Sequence, residues 1–237
     1  MRRWQSVPLP LRRRALPRAG QVHLWLTDLD ELPLEAGPSG LTRKERVLKR
    51  RIQQRFVLRL LLGSYLGLPG KDVQVIQSDR NDKPRLGGVH EDSGLSFNVS
   101  HSDRWLAIGL VRDQEVGVDI EAEREMRRAG DLARRYFSGP DCERIDQLDE
   151  PERSSCFLNQ WTAREALVKA VGCGLAGSLG KIELDCEPTE IRQLPEDWPQ
   201  AWQLLKPDWP AGLLGHLAIP TGQDLDLSCY WLQTSKG

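Results

Sequence analysis

Three short alternating segments constrain this chain more than any other feature. Leu95, Phe97 and Val99 alternate with polar residues; Leu106, Ile108 and Leu110, then Val116, Val118 and Ile120, alternate with small or polar ones. A period of two sends successive side chains to opposite faces of a sheet, so each segment reads as a strand with one apolar face. Ser100-His-Ser-Asp103 and Arg112-Asp-Gln-Glu115 lie between them with turn chemistry, and the run predicts an antiparallel meander.

Helical signals flank it. Thr42 with Glu45 makes a capping box at the head of a helical stretch reaching Leu66, and Gly67-Leu-Pro-Gly70 stops it. A second helix is expected over about residues 152–171, ended by Gly172, Gly174 and Gly177, and a basic one over about 124–136. Val22-His-Leu-Trp-Leu26 reads as a strand, as do residues 181–184, 202–205, 213–219 and 228–232. Asn81-Asp-Lys-Pro84 reads as a turn. Strand, helix and strands thus occur twice, and the fold class is α+β.

The 33 basic and 34 acidic residues cancel, so binding bias has to come from local clusters. No apolar run approaches the ~20 residues that span a bilayer. The first residues hold Arg2, Arg3, Arg12, Arg13, Arg14 and Arg18 without the apolar segment of a secretory signal. Prolines at 8, 10 and 17 oppose an amphipathic helix, so residues 1–20 are expected to be a flexible basic arm. Five scattered cysteines (142, 156, 173, 186 and 229) without C-x-x-C fit free thiols in a reducing cytosol, and the expected location is cytoplasmic.

The chemistry starts at Val116-Gly-Val-Asp-Ile-Glu121. With the apolar residues facing the core, Gly117, Asp119 and Glu121 share the other face. Two carboxylates there repel unless a cation lies between them, and Gly117 beside them leaves room for a ligand. Read alone, such a pair is more often a solvated strand face. On the second helix Phe157, Trp161, Glu165 and Lys169 recur every four residues and form one ridge, whose charged end can point into a cleft. The plainer reading is a surface Glu–Lys pair contributing about 0.3–0.5 kcal/mol. Arg164 falls amid the apolar arc, so either its stem snorkels or it has an acidic partner.

Ser100 and His101, at a strand-to-turn junction, can hold a phosphate. Arg43, Lys44, Arg46, Lys49, Arg50, Arg51 and Arg55 crowd one helix, as a solvated face or for a phosphate-rich ligand. The glycine-rich residues 174–181 have the wrong spacing for a P-loop. Carboxylates without clustered His or Cys favour magnesium over zinc.

Taken in order, Asn81-Asp-Lys-Pro84, Phe97-Asn-Val-Ser-His-Ser102, Gly117-Val-Asp-Ile-Glu121, Arg135-Tyr-Phe-Ser138 and Trp161-Thr-Ala-Arg-Glu-Ala-Leu-Val-Lys169 resemble the larger, surfactin-synthetase-activating type of 4′-phosphopantetheinyl transferase. The resemblance implies two similar α+β halves related by a pseudo-twofold, 21–112 and 113–237, with the active site at their interface. It implies transfer of phosphopantetheine from coenzyme A to a serine of an apo carrier protein, releasing adenosine 3′,5′-bisphosphate. Asp119, Glu121 and Glu165 would hold magnesium, and Glu165 would also be the base. Lys169 would neutralise charge on the transferred phosphate, and Lys83, Ser100, His101 and Arg50 would contact coenzyme A. Position 164 is Arg where the family pattern more commonly has Lys. The basic segment from Arg124 to Arg135 could receive an acidic carrier protein. A single chain holding both halves is expected to be monomeric. A nucleic-acid-binding module built on the Arg43–Arg55 helix is the competing reading; near-zero net charge and the lack of recognisable nucleic-acid motifs weigh against it.

Overall fold

The computed structural model describes residues 4–32, 41–77, 83–174, 178–185, 189–199, 201–222 and 225–234. In chain order the elements begin β1 (Gln5–Pro8), β2 (Gln21–Asp28), α1 (Arg43–Leu66), β3 (Val75–Ile76) and β4 (Arg85–Leu86). The central run follows as β5 (Leu95–Ser102), β6 (Trp105–Arg112) and β7 (Gly117–Ala122), then α2 (Ala129–Tyr136), α3 (Gly139–Asp146) and α4 (Glu152–Val171). The chain closes with β8 (Glu183–Leu184), β9 (Ile191–Gln193), β10 (Trp202–Leu205), β11 (Leu213–Pro220) and β12 (Asp226–Gln233). The class is α+β. No described helix is long and apolar enough to cross a membrane.

Two larger sheets organise these elements, and β3-β4 and β8-β9 form two short two-stranded ones. One larger sheet runs β1-β12-β2-β6-β5, the other β10-β11-β7. The expected meander is therefore only partly formed. β5 and β6 pair antiparallel from Leu95 opposite Arg112 to Ser102 opposite Trp105, but β7 pairs with β11 instead of β6. Alternation fixes which face each residue occupies and leaves the partner strand open. β12 lies parallel to β2, inside the sheet of the first half, so the last strand crosses the division expected near residue 113. The amino-terminal arm also departs from expectation: β1 pairs parallel with β12, and Leu9, Leu11 and Leu16 pack against the core between that sheet and α1. The turn residues Asn81 and Asp82 lie outside the described residues, as does Cys186.

Each larger sheet is backed by a long helix. Thr42 caps α1 with the expected capping box, and Gly67 in the left-handed conformation ends it. Its Val57, Leu61, Leu62 and Tyr65 pack with Trp25, Phe97, Ile108 and Tyr230 on one face of the large sheet. Leu24, Leu26 and Ala107 on the other face meet Val116, Val118 and Ile120 of β7, as the alternation required. β7 is thus covered on both faces, because α4 lies on its second one. Ala163, Ala166, Leu167 and Ala170 form a core with Leu184, Trp202 and Ala218. Gly117 permits this approach. A Cβ there would overlap the Ala166 carbonyl oxygen and stand 2.6 Å from the Ala170 nitrogen. The space beside Gly117, expected to admit a ligand, is filled by helix backbone.

Arg164 finds the acidic partner. Fully buried, it pairs with Asp141 of α3, donates to the carbonyl oxygens of Gln160 (3.2 Å) and Ile182 (3.1 Å), and lies 4.2 Å from the Phe137 ring centroid. Phe137 stacks on Phe157, and Ser138 donates to Asp141 (2.9 Å), so residues 135–138 brace α4. Removing one member of a buried pair leaves the other charge unmatched, which makes this contact costly to break.

Gly117→Ala should destabilise the fold by about 2–3 kcal/mol, because the obstruction is backbone and cannot rotate away. Urea unfolding at neutral pH measures this; an unchanged midpoint would show that α4 does not rest on β7 as described.

Candidate active site

The site grows from a seam between the two sheets. Asn98 Oδ1 accepts from the Val118 N–H (2.9 Å), Ser100 Oγ from the Ile120 N–H (3.2 Å), and Ser102 Oγ from the Ala122 N–H (3.0 Å). Successive polar side chains of β5 thus take the place of a backbone ladder for successive donors of β7, which would otherwise be unpaired. Ser100 and Ser102 then use their hydroxyl protons on the carboxylates of the next strand. Ser100 donates to Asp119 Oδ1 (2.8 Å) and Ser102 to Glu121 Oε2 (2.6 Å).

From α4, Lys169 Nζ reaches Asp119 Oδ1 (2.7 Å), Ser100 Oγ (3.2 Å) and the Val118 carbonyl (3.3 Å). Arg124 Nη1 donates to Glu121 Oε2 (2.8 Å) and to the Ala122 carbonyl (3.0 Å). Glu165, one turn before Lys169, is buried and has no hydrogen-bond partner among the described residues. Burial first, and then the neighbouring charges of Asp119 and Glu121, push its carboxyl up to about 7 against the pull of Lys169. Burial likewise raises Asp119 despite Lys169 and Ser100.

Asp119, Glu121, Glu165, Lys169 and Ser100 therefore come together. His101 sits on the same strand with an exposed side chain; loss of hydration and then the Lys169 charge lower its ring. Lys83 lies at the start of β7, donating to Glu115 (2.5 Å) and the Val116 carbonyl (2.8 Å), and burial depresses its ammonium. Arg50 belongs to a separate contact, an ion pair with Asp30 at 2.8 Å. Ser102, Asn98 and Arg124 were not among the expected site residues. Their signal was available: Asn98, Ser100 and Ser102 alternate in step with residues 118, 120 and 122.

Among the described residues, no three His, Cys, Asp or Glu side chains are grouped to hold an ion. Lys169 and Arg124 lie on the oxygens of Asp119 and Glu121 instead. The donor set still suits a hard cation: it is all oxygen, Asp119 and Glu165 are buried with Glu121 half-buried, and the Glu165 carboxyl has no hydrogen-bond partner among the described residues.

Family comparison defines the class of protein. Residues 115–214, from the head of β7 into β11, match the model of the 4′-phosphopantetheinyl transferase superfamily. The chain is 32% identical over 198 residues to the 4′-phosphopantetheinyl transferase HetI of Nostoc, covering 78% of this chain and 82% of that protein. It is 26% identical over 183 residues to the human L-aminoadipate-semialdehyde dehydrogenase-phosphopantetheinyl transferase (70% of this chain, 59% of that one). It is 25% identical over 151 residues to the 4′-phosphopantetheinyl transferase gsp of Aneurinibacillus migulanus, 62% of each chain. The chain belongs to the 4′-phosphopantetheinyl transferase family.

The raised Glu165 carboxyl has a thermodynamic consequence. Its value is above the unfolded one, so the folded state holds the proton longer and stability falls as pH rises from about 4.5 to about 7. Glu165→Gln should remove this component and be more stable than the parent at pH 8 by on the order of 2–3 kcal/mol. Urea unfolding of both proteins at pH 5 and pH 8 tests this; equal pH dependence would place the Glu165 carboxyl in water.

Proposed function

We propose that this chain transfers 4′-phosphopantetheine from coenzyme A to a serine of an apo acyl or peptidyl carrier protein, releasing adenosine 3′,5′-bisphosphate. The observation that carries the reading is the joining of Asp119, Glu121 and Glu165 with Lys169 across β7 and α4, in a chain of this family. Two sheets, each backed by a long helix, support a division into two similar halves near residue 113 with the site between them.

Glu165 is the base. Its carboxylate can take the proton of the carrier serine, directly or through water, as the serine oxygen bonds to the phosphorus and the phosphoanhydride bond breaks. Lys169, already beside the carboxylates, neutralises charge on the transferred phosphoryl group. Asp119, Glu121 and Glu165 would hold magnesium, and the ion would supply positive charge to the pyrophosphate of coenzyme A. Binding it requires Lys169 and Arg124 to yield oxygens they now occupy. Ser100 positions Asp119 through its hydroxyl, and coenzyme A would be contacted by Ser100, His101 and Lys83. Arg50 would serve coenzyme A only at its far end.

An acidic carrier protein remains the partner the resemblance implies, and the chain acts in the cytoplasm as a monomer. Of the segment Arg124 to Arg135, offered as its landing site, Arg124, Arg127, Arg128 and Arg134 are each paired with a neighbouring acid, while Arg135 lies over the Tyr136 ring. Docking there would exchange ion pairs instead of adding new ones.

Incubation with an apo carrier protein, coenzyme A and magnesium should increase the carrier mass by one phosphopantetheine. Asp119→Ala should reduce the rate by about 100-fold or more while leaving the far-ultraviolet spectrum unchanged, the scale expected when charge stabilisation is removed from a phosphoryl-transfer site. No mass gain across fatty-acid, polyketide and nonribosomal-peptide carriers would refute the activity, and full rate in the variant would refute the site.

A further inference from the structure

The arginines of the amino-terminal arm have no part in the site above. Arg13, Arg14 and Arg18 line a cavity of about 520 Å³ whose wall includes Gln21, His23 and Tyr230. Trp25 and Tyr230 belong to the core on the α1 side of the large sheet, whereas β7 packs on its opposite face. The cavity is therefore separated from Asp119 and Glu165 by the sheet itself.

Arg14 is held in place, whereas the side chains of Arg13 and Arg18 are exposed. The Arg14 guanidinium lies over both Trp25 (4.7 Å to the ring centroid) and Tyr230 (4.5 Å), and its backbone N–H donates to the Ser64 carbonyl (2.9 Å). Arg13 crosses Gly67 at the carboxyl end of α1, with its Nε 3.1 Å from where a Cβ would stand. The Arg18 N–H donates to Gln21 Oε1 (3.2 Å), and the amide of Gln21 donates to Asp226 (3.0 Å). Among the described residues no carboxylate forms an ion pair with Arg13, Arg14 or Arg18. Asp226, at the rim, is engaged with Gln21.

Aromatic rings fix the plane of a guanidinium without neutralising it; Arg14 also hydrogen-bonds the Tyr65 hydroxyl, and the remaining N–H groups can meet an oxyanion. His23 adds no charge: burial and Arg14 hold its ring down to about 4, and its Nδ1 lies 2.7 Å from the Tyr65 hydroxyl. Three arginines line one cavity, and the single carboxylate close enough to act on its His23, Asp226, leaves a net positive charge that suits a multiply charged anion of small size.

We propose that this cavity is a second ligand site, independent of the transferase reaction, which binds a small phosphate-bearing molecule through Arg13, Arg14 and Arg18. Its occupant bridges the arm to β2 and β12, because Arg14 and Arg18 belong to the arm while His23 and Tyr230 belong to those strands. Binding therefore orders residues 9–21 together with the sheet.

Calorimetric titration of the full chain with inorganic pyrophosphate, at constant ionic strength and without magnesium, tests the site. Amide hydrogen exchange in the same buffer locates the binding. The parent protein should bind saturably and gain protection in residues 9–21. Arg13→Gln/Arg18→Gln should weaken this binding at least tenfold, lose the added protection, and keep both its unliganded melting temperature and its phosphopantetheine transfer. Binding unchanged by the double substitution, or protection confined to β7 and α4, would overturn the proposal. Equal binding of acetate would overturn it as well. So would strongly salt-dependent binding of random DNA through these arginines without binding of pyrophosphate, since that describes an open polyanion surface. A chain inactive toward every carrier could still pass this test, so failure of one reading is separable from failure of the other.

Discussion

The seam between β5 and β7 is the constraint on which the site depends. A strand at a sheet edge offers backbone donors that must be satisfied, and β7 has a backbone partner on one side only, β11. Asn98, Ser100 and Ser102 supply the acceptors on the other side. Because the two serine hydroxyls also donate, the groups that join the sheets hold Asp119 and Glu121 as well. Assembly of the fold and orientation of the carboxylates are one set of bonds. Gly117 completes the arrangement from the other face by letting α4 bring Lys169 and Glu165 onto the same strand.

Burying this much charge has a thermodynamic cost. Glu165 and Asp119 both hold their protons more tightly than in water, and burial is the largest cause for each. Lys169 and Arg124 offset part of the repulsion but leave the Glu165 carboxyl unpartnered. Such a cluster is poorly optimised for stability and well suited to a cation or to a substrate with mobile protons. Arg164 shows the contrasting case. It is as deeply buried, but Asp141, two carbonyls and the Phe137 face surround it, and its contacts brace α4. Adjacent residues of one helix thus serve opposite ends, one satisfied and one poised.

Much of this was legible in the sequence because helices and strands have fixed periods. The period of two put Asp119 and Glu121 on one face, and the period of four put Glu165 beside Lys169. The capping box located the start of α1. What periodicity lacks is partner identity. It could not tell that β7 would leave the meander for β11, that β12 would enter the first sheet, or that β1 would pair with β12. Gly117 was misread for the same reason, since a missing side chain leaves room equally for a ligand or a helix. α3 carries few apolar residues and gave no amphipathic signal, although Asp141 within it answers the question posed by Arg164. Arg50 was expected near coenzyme A from the family resemblance, and its observed contact is Asp30.

Hydroxyls of the seam hold the carboxylates of the proposed coenzyme A site in place. A double-mutant cycle over Ser102 and Glu121, read as kcat/KM for modification of a carrier protein, tests their role in turnover. Ser102→Ala should lower the rate constant by about tenfold or more in the parent, the scale of a lost hydrogen bond to a charged group. In a Glu121→Ala background the same substitution should change it by less than about twofold. Equal losses in both backgrounds would show that Ser102 acts without Glu121, and would contradict the account.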